Sequence, residues 1–281
     1  MFSPLAITWD MNPVMLNLGF IEVRYYGLCW ALALGIGLWI FSKIFKRENL
    51  SDKTLDSLFW YAVIATVLGA RLGHCYFYEP AYYLSHPAEV LQIWNGGLAS
   101  HGAAFGLLIG LYLFSRKNRL SYIWILDRIG IAITIGGALI RLGNLFNSEI
   151  YGAPTTLPWG FIFVNGNENQ TLPCHPTQLY EALAYVIIFV ILCVMYFKKD
   201  LARKCQGAMF GWFLVLLFGA RFLIEFIKQP QVGFEESMAL NMGQLLSIPF
   251  VLIGVALLVY SFIKKTPVAA VQPEKAKPQP T

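Results

Sequence analysis

The sequence predicts an all-α polytopic membrane protein with seven transmembrane helices, an exoplasmic N-terminus and a cytoplasmic C-terminus. Three observations predict this fold class: the composition, the recurrence of long apolar segments, and the uneven placement of the cations. Of the 281 residues, 57% are hydrophobic and only 13% are charged, about half the charged share of a soluble domain. The composition therefore excludes a soluble enzyme, a disordered chain and a nucleic-acid-binding protein.

Seven apolar segments approach the length of about 20 residues that a helix needs to cross a hydrocarbon core of about 30 Å. They lie at 25–45, 57–77, 98–115, 122–142, 179–197, 207–227 and 242–263. The segments and the stretches around them predict four regions. These are an exoplasmic N-terminal arm (1–24), a seven-helix transmembrane domain (25–265), a small exoplasmic head loop within it (150–178) and a disordered cytoplasmic tail (266–281).

The cations predict the orientation. Four, three, four and four Lys and Arg residues follow the first, third, fifth and seventh segments, whereas the other connections hold almost none. Cytoplasmic loops of membrane proteins carry such an excess of positive charge. The alternation therefore places the N-terminus outside and the C-terminus in the cytoplasm.

Three arginines, Arg71, Arg141 and Arg221, fall inside predicted spans. An arginine costs about 2.5–3.5 kcal/mol at the centre of a membrane helix, so a group of three indicates a function. Their spans run outward, which places Arg71 and Arg221 roughly 9 Å from the outer ends and Arg141 almost at its end. All three are therefore expected in the outer half of the membrane.

Other polar residues converge on the same half. They are Tyr26, His101, Asn144, Asn147, Glu149, His175, Tyr180, Glu181 and Glu225. Several guanidinium groups at headgroup depth predict a phosphate receptor, because their paired donors match phosphate oxygens. The predicted substrate is an anionic phospholipid. Arg221 and Glu225 are four residues apart on one helix face and can pair.

His101 follows a glycine-rich segment at the start of the third span. Glycines allow close approach of the backbone, and the amides of a helix start favour an anion. A histidine in this place is a candidate general base near neutral pH. Two simpler interpretations stay open: a histidine bonded to a neighbouring carbonyl, and arginines that only pair helices during assembly.

Six segments together resemble the prolipoprotein diacylglyceryl transferase family. The most distinctive is Arg141-Leu142-Gly143-Asn144-Leu145-Phe146-Asn147-Ser148-Glu149-Ile150-Tyr151-Gly152, in which Ser148 replaces the glycine usual in the family. The other five, in chain order, are Arg24–Gly27, Gly69–Gly73, Gly97–Gly102, His175–Glu181 and Arg221–Phe226. Since serine tolerates a positive φ poorly, Ser148 is expected to alter the turn after Asn147.

The resemblance implies an enzyme of the bacterial cytoplasmic (inner) membrane, with its active site toward the exoplasmic leaflet. Its partners would be phosphatidylglycerol, prolipoproteins that carry a lipobox cysteine, and membrane lipids; it implies no nucleic acid, metal or organic cofactor. The cysteine thiol would attack the glyceryl carbon, form a thioether and release glycerol-1-phosphate. A base must activate the thiol, whose ordinary pKa is about 8.5.

The same resemblance assigns roles to individual residues. Arg141 and Arg221 would grip the phosphate, His101 is the first choice for the base, and an Arg221–Glu225 pair is the rival base. Tyr26 would bond the headgroup. The remaining expected contributors to the phosphatidylglycerol site are Asn144, Glu149, Arg71, Asn147 and Gly152.

The alternative function is transport or flipping of an anionic solute or phospholipid through the arginine cluster. That alternative expects polar residues through both halves of the membrane. The inner half offers mainly Asp127 and Arg128, so the transferase is the leading interpretation.

Overall fold

The computed structural model describes residues 6–19, 22–166, 171–229 and 238–264. The tail predicted at 266–281 and the first residues of the predicted arm lie outside these ranges. Within them the chain is mostly helical. The α-helices are α1 (Tyr25–Arg47), α2 (Asp52–Gly73), α3 (Pro80–Ser85), α4 (Ser100–Asn118), α5 (Tyr122–Phe146), α6 (Thr177–Cys193), α7 (Leu201–Lys204), α8 (Ala208–Ile224) and α9 (Met242–Lys264).

Six helical segments of the described ranges are long and apolar enough to cross a membrane, which makes this a multi-pass membrane protein. They are Tyr25–Arg47, Asp52–Tyr78, Tyr122–Phe146, Thr177–Lys198, Ala208–Ile227 and Met242–Lys264. The predicted third span forms helix α4 but is not among the six. Its apolar content is diluted by glycines at 102, 106 and 110 and by the polar run at 115–118.

The chain divides into two compact units. Of the described residues, those within 6–40 and 126–264 form the first unit, and those within 41–125 form the second. In the first unit α8 packs against both α6 and α9, and in the second α2 packs along α4.

The first unit also contains short strands that the sequence did not predict. Strand β1 (Ile7–Trp9) pairs in parallel with β4 (Phe161–Phe163), and β2 (Val14–Asn17) pairs with β3 (Glu22–Arg24). Strands of three or four residues are too short for alternation to stand out in the sequence. The N-terminal arm and the head loop therefore share a sheet, although the sequence predicts them as separate regions. Trp9 ties this sheet to the end of α5, because its indole nitrogen donates to the Leu145 carbonyl at 3.1 Å.

Asp127, near the start of α5, caps helix α8. Its carboxylate accepts the backbone N–H groups of Gly207 at 2.7 Å and Phe210 at 2.9 Å. These amides belong to the first turn of α8, where they have no partner within the helix. Arg128 is fully buried and lies over the Tyr196 ring at 5.7 Å. These two polar residues near the start of α5 thus have local structural partners.

Glycines bring α2 and α4 close together in the second unit. A Cβ on Gly106 would lie 2.8 Å from the Gly69 Cα, and a Cβ on Gly102 would lie 2.8 Å from the Gly73 Cα. Small residues that allow two backbones to approach in this way are typical of helix pairs in membranes.

Candidate active site

The end of α5 and the turn after it gather the first group of predicted site residues. Beyond Phe146 the chain reverses through Ser148 (φ +52°) and Ile150 (φ +60°). The Glu149 amide donates back to the Asn144 carbonyl at 3.1 Å. The reversal places the Glu149 carboxylate against the last turn of the helix, where it accepts from Asn144 Nδ2 at 2.8 Å and Asn147 Nδ2 at 3.2 Å.

Arg141 lies one turn earlier and joins this group to α6. Its Nη1 donates to Asn144 Oδ1 at 3.3 Å, and its Nε lies 2.9 Å from Glu181 Oε2. The Glu181 side chain is fully buried and that of Arg141 is 15% exposed. Ionised side chains at this depth require partners of opposite charge, and each supplies one to the other.

Lys228 extends the network to the end of α8. Its Nζ lies 3.1 Å from Glu181 Oε1 and 3.3 Å from Glu225 Oε2, and its side chain is only 2% exposed. The expected Arg221–Glu225 ion pair is absent among the described residues, because Glu225 pairs with Lys228. The backbone explains the Glu225–Lys228 pair: α8 ends at Ile224, and Glu225–Ile227 form a 3-10 turn. Such a turn aligns residues three apart rather than four apart.

Arg221 lies on the preceding turn of α8, half-buried. Within the described ranges it makes no ion pair with a carboxylate, and it interacts electrostatically with the buried Tyr185 of α6. Arg221 is therefore a cation of this group whose charge is not matched by any carboxylate among the described residues.

Gly152 lies where the head loop meets α6 and the turn after α8. Its amide donates to the His175 carbonyl at 2.8 Å, and the next amide, of Ala153, donates to the Ile227 carbonyl at 2.9 Å. A Cβ on Gly152 would lie 2.7 Å from Thr177 Cγ2 and 2.8 Å from His175 Cβ. Close packing therefore accounts for the glycine, and contact with substrate is not needed to explain it.

Tyr26 lies in the first turn of α1 and packs on α5 within the first unit. A Cβ on Gly143 would lie 2.7 Å from the Tyr26 ring. Since Gly143 stands between Arg141 and Asn144, the tyrosine borders the same group. Six predicted residues are thereby brought to one end of this unit, together with Glu181 and Lys228: they are Tyr26, Arg141, Asn144, Asn147, Glu149 and Glu225.

Several buried polar atoms at this end have no hydrogen-bond partner within the described part of the chain. They include Asn147 Oδ1, Ser148 Oγ, Gln178 Oε1 and Gln244 Nε2. Buried polar atoms are normally bonded, so a concentration of them beside Glu149 and the start of α9 is typical of a site that bonds a polar group from outside the chain. Both donors and acceptors are represented among them.

Comparison with known proteins identifies the family. Residues 13–260 match the family model described as prolipoprotein diacylglyceryl transferase. The chain belongs to this family. Phosphatidylglycerol–prolipoprotein diacylglyceryl transferases from Porphyromonas gingivalis and Chloroherpeton thalassium are 48% and 47% identical to it, each over 92% of this chain and over 96% and 95% of the relative. The enzyme of that name from Bacteroides fragilis is 42% identical over 93% of this chain and 98% of its own.

Membership in the prolipoprotein diacylglyceryl transferase family confirms the resemblance read from the six sequence segments, and with it the predicted enzyme class of transferase. Family membership does not by itself assign roles to individual residues.

His175 and Cys174 precede α6 in the head loop, and burial shifts the pKa of each. Burial lowers the pKa of His175, which keeps its imidazole neutral, and raises the pKa of Cys174, which keeps that thiol protonated.

Two predicted residues of this family member, Arg71 and His101, lie in the second unit. Arg71 is 2% exposed, and its guanidinium donates to backbone carbonyls of the loop before α4. The acceptors are Val90 at 3.0 Å, Gly96 at 2.7 Å and Glu89 at 2.7 Å. His101 is the second residue of α4, and it is exposed. Ala99, just before α4, donates its amide to the Ala70 carbonyl at 2.9 Å, so the loop is tied to α2 on both sides of the glycines.

Four residues of the first unit enter the site without having been assigned a role from the sequence: Glu181, Lys228, Thr177 and Gln178. Gln178 Nε2 donates to the Glu149 carbonyl at 2.7 Å, and Thr177 Oγ1 donates to the Ile150 carbonyl at 3.0 Å. Three of the four lie in the segment His175–Glu181, one of those that resemble the family, and this was an available signal. Lys228 had a weaker signal, since it is a cation in a connection that the charge distribution predicts to be exoplasmic, and such connections are otherwise nearly free of cations.

No group of three or more His, Cys, Asp or Glu side chains in the described ranges has the arrangement of a metal site.

Proposed function

We propose that the protein transfers the diacylglyceryl group of phosphatidylglycerol to the lipobox cysteine of prolipoproteins. The observation that carries the proposal is the charge arrangement at the head-loop end of the first unit. Lys228 and Arg141 match the buried carboxylates Glu181 and Glu225, whereas Arg221 has no carboxylate partner within the described ranges. A lipid phosphate with one negative charge suits that arrangement. The names of the related enzymes support the same substrates.

The reaction requires one C–O bond to break and one C–S bond to form. The thiolate sulfur attacks the glyceryl carbon that bears the phosphate, and the C–O bonding electrons leave with glycerol-1-phosphate. The phosphate thereby goes from one negative charge to two. An arginine bonded to it stabilises the transition state more than the bound lipid, and this difference is what accelerates a reaction. In the proposal Arg221 and Arg141 supply that stabilisation.

The polar atoms around Glu149 are proposed to orient the glycerol. Asn144 and Asn147 are held by the Glu149 carboxylate, and Asn147 Oδ1 and Gln178 Oε1 are unbonded acceptors among the described residues. Acceptors of this kind suit the hydroxyls of a glycerol headgroup. Tyr26, on Gly143, is proposed to bond the same headgroup.

The thiol proton needs an acceptor, and His101 is proposed for that role. The rival base, an Arg221–Glu225 pair, is less supported, because Glu225 pairs with Lys228. Replacing His101 by Gln should lower turnover most at low pH, where the thiolate is scarce, and less as the pH approaches the ordinary thiol pKa of about 8.5. A loss that does not depend on pH would reject His101 as the base.

The proposed topology follows the same logic. We place the N-terminus and the site toward the exoplasmic leaflet of a bacterial inner membrane and the C-terminus in the cytoplasm, on the positive-inside distribution. Helix α4 is proposed as the seventh span. It packs along α2 through glycines, and it exposes a row of apolar side chains that includes Phe105 and Ile109, as a lipid-facing surface does.

The decisive experiment supplies the purified protein with phosphatidylglycerol and a lipobox peptide. Thioether-linked peptide and free glycerol-1-phosphate in equal amounts are expected. A folded protein that forms neither product would reject the proposal, and transport of labelled phospholipid without product would favour the flippase alternative.

A further inference from the structure

Lys228 is a buried cation for which the proposed reaction has no direct use. Its Nζ lies within 3.3 Å of the carboxylates of both Glu181 and Glu225, and its side chain is 2% exposed. With both carboxylates so close, the ammonium group has its charge matched by the chain itself. We therefore expect Lys228 to act by holding the carboxylates of Glu181 and Glu225.

The second of these carboxylates has another potential partner. Glu225 follows Arg221 by four residues, the spacing at which a helix brings opposite charges together. An Arg221–Glu225 pair would use guanidinium donors and cancel the charge that a phosphate requires. Lys228 removes this competition, since Glu225 already has a cation at 3.3 Å.

The backbone around Lys228 fixes the choice. The 3-10 turn Glu225–Ile227 ends at Lys228, whose extended conformation forms an isolated bridge with Gly152. On the other side, Asn241 Nδ2 donates to the Glu225 carbonyl at 3.1 Å, and a Cβ on Gly243 would lie 2.7 Å from Glu225 Oε2. Glu225 is thus confined between Lys228 and the start of α9.

We propose that Lys228 is a positioning residue that holds the carboxylates of Glu225 and Glu181 and so leaves Arg221 available to bind the phosphate of an anionic lipid. The inference rests on the proposed function. Two buried acids are matched by Lys228 and Arg141, and the charge of Arg221 is left for the substrate.

The test uses the full-length protein in phosphatidylglycerol–phosphatidylcholine vesicles with a lipobox peptide. Lys228→Met keeps the length of the side chain and removes its charge. We expect the KM for phosphatidylglycerol to rise about tenfold or more, since Glu225 becomes free to pair with Arg221. The inhibition constant of added glycerol-1-phosphate should rise by a similar factor, whereas kcat at saturating lipid should change by less than about threefold.

Two variants serve as controls. Lys228→Arg keeps the charge and should remain close to the natural protein in KM. Lys199→Met makes the same chemical change at an exposed position in the connection after α6 and should leave KM unchanged. A purely structural role predicts instead a smaller active fraction, with lower kcat and an unaltered KM, and that result would overturn the proposal.

A double variant gives a test that does not depend on turnover. Lys228→Met combined with Glu225→Gln removes both the cation and the carboxylate that competes for Arg221. Its preference for phosphatidylglycerol over phosphatidylcholine, measured by lipid binding, should match that of the natural protein. Should Lys228→Met alone fail to fold, this variant decides, and loss of its preference overturns the inference. If the natural protein forms thioether while Lys228→Met keeps the natural KM, only the inference fails; if the natural protein forms none, the proposed function fails.

Discussion

Arg71 and Arg141 carry the same sequence signal but occupy different surroundings. Both are arginines late in an apolar segment, and both are largely shielded from solvent, since Arg71 is 2% exposed and the Arg141 side chain is 15% exposed. In the first unit, Arg141 contacts the side chains of Glu181 and Asn144. In the second unit, Arg71 donates to backbone carbonyls at 89, 90 and 96, and its guanidinium lies 5.0 Å from the centre of the Tyr83 ring.

The partners determine what each arginine can do. A guanidinium that donates to three loop carbonyls fixes the loop at three points, because its N–H donors have fixed directions. Carboxylate and amide side chains belong to a network that can exchange contacts when an anion binds. Arg71 therefore stabilises the loop that leads to α4, and Arg141 is the stronger candidate for contact with substrate, although the sequence signal alone assigned both to the phosphatidylglycerol site.

The largest expected effect is on Arg141. Arg141→Ala should reduce thioether formation by about 10²–10³-fold, the usual loss for one donor to a developing negative charge. The protein should still reach the membrane, because Glu181 retains Lys228 as a partner at 3.1 Å. Product formation from phosphatidylglycerol and a lipobox peptide measures the effect.

Arg24→Ala is the matched control, since Arg24 is an exposed arginine of the same unit whose partner is the nearby Glu22 at 3.3 Å. It should remain active. Full activity in Arg141→Ala would show that Arg141 does not act on the phosphate. Arg141 would then not differ from Arg71 in contact with substrate.

A second substitution tests the structural half of the contrast. Arg71→Lys keeps the charge but cannot reach carbonyls at three positions, and it should lower the stability of folding by about 3 kcal/mol, as the loss of hydrogen bonds to a charged group predicts. Thermal unfolding in detergent measures it. KM for phosphatidylglycerol should change little in the protein that remains folded. Natural stability combined with a raised KM would reassign Arg71 to the lipid site.

Sequence reasoning was most successful where the relevant residues are close in the chain. Arg141, Asn144 and Glu149 contact one another within a single helix end and the turn after it, so their spacing was sufficient to group them. The membrane class and six of the seven spans followed from apolar length, which is a local property. Helix α4 is the exception, because the glycines that allow its close packing on α2 also lower its apolar content.

Contacts between separate helices and strands could not be predicted from spacing along the chain. Glu181 meets Arg141 across two helices, and no spacing predicts that pair. Glu225 was grouped with Arg221 by their four-residue spacing on α8, but the 3-10 turn that starts at Glu225 brings Lys228 to its carboxylate, and Lys228 is the partner. The sheet that joins β1 to β4 depends on strands too short to show a period.

The glycines of the second unit give a smaller effect that sharpens the comparison of the two units. Gly106→Ala would place a Cβ 2.8 Å from the Gly69 Cα, and backbone atoms cannot move aside cheaply. A loss of stability of about 1–3 kcal/mol is expected. Gly35→Ala in α1 is the matched control, because a Cβ there has no other atom within 4 Å; it should be neutral or stabilise by up to about 1 kcal/mol. Equal effects in both variants would show that close backbone approach does not hold α2 to α4.

The smallest effect concerns Ser148, in the turn that brings Glu149 back to Asn144. Serine at φ +52° bears a steric cost of about 1–2 kcal/mol, and its buried Oγ has no partner among the described residues. Ser148→Gly removes both penalties but adds about 0.5–1 kcal/mol of chain entropy, so a net gain of about 1 kcal/mol is expected in thermal unfolding, with activity kept. Ser42→Gly, within helix α1, should instead lose about 0.5–1 kcal/mol. If Ser148→Gly gains stability but loses phosphatidylglycerol binding, the Ser148 hydroxyl is a ligand of the lipid, and the strained turn is part of the same network as Arg141.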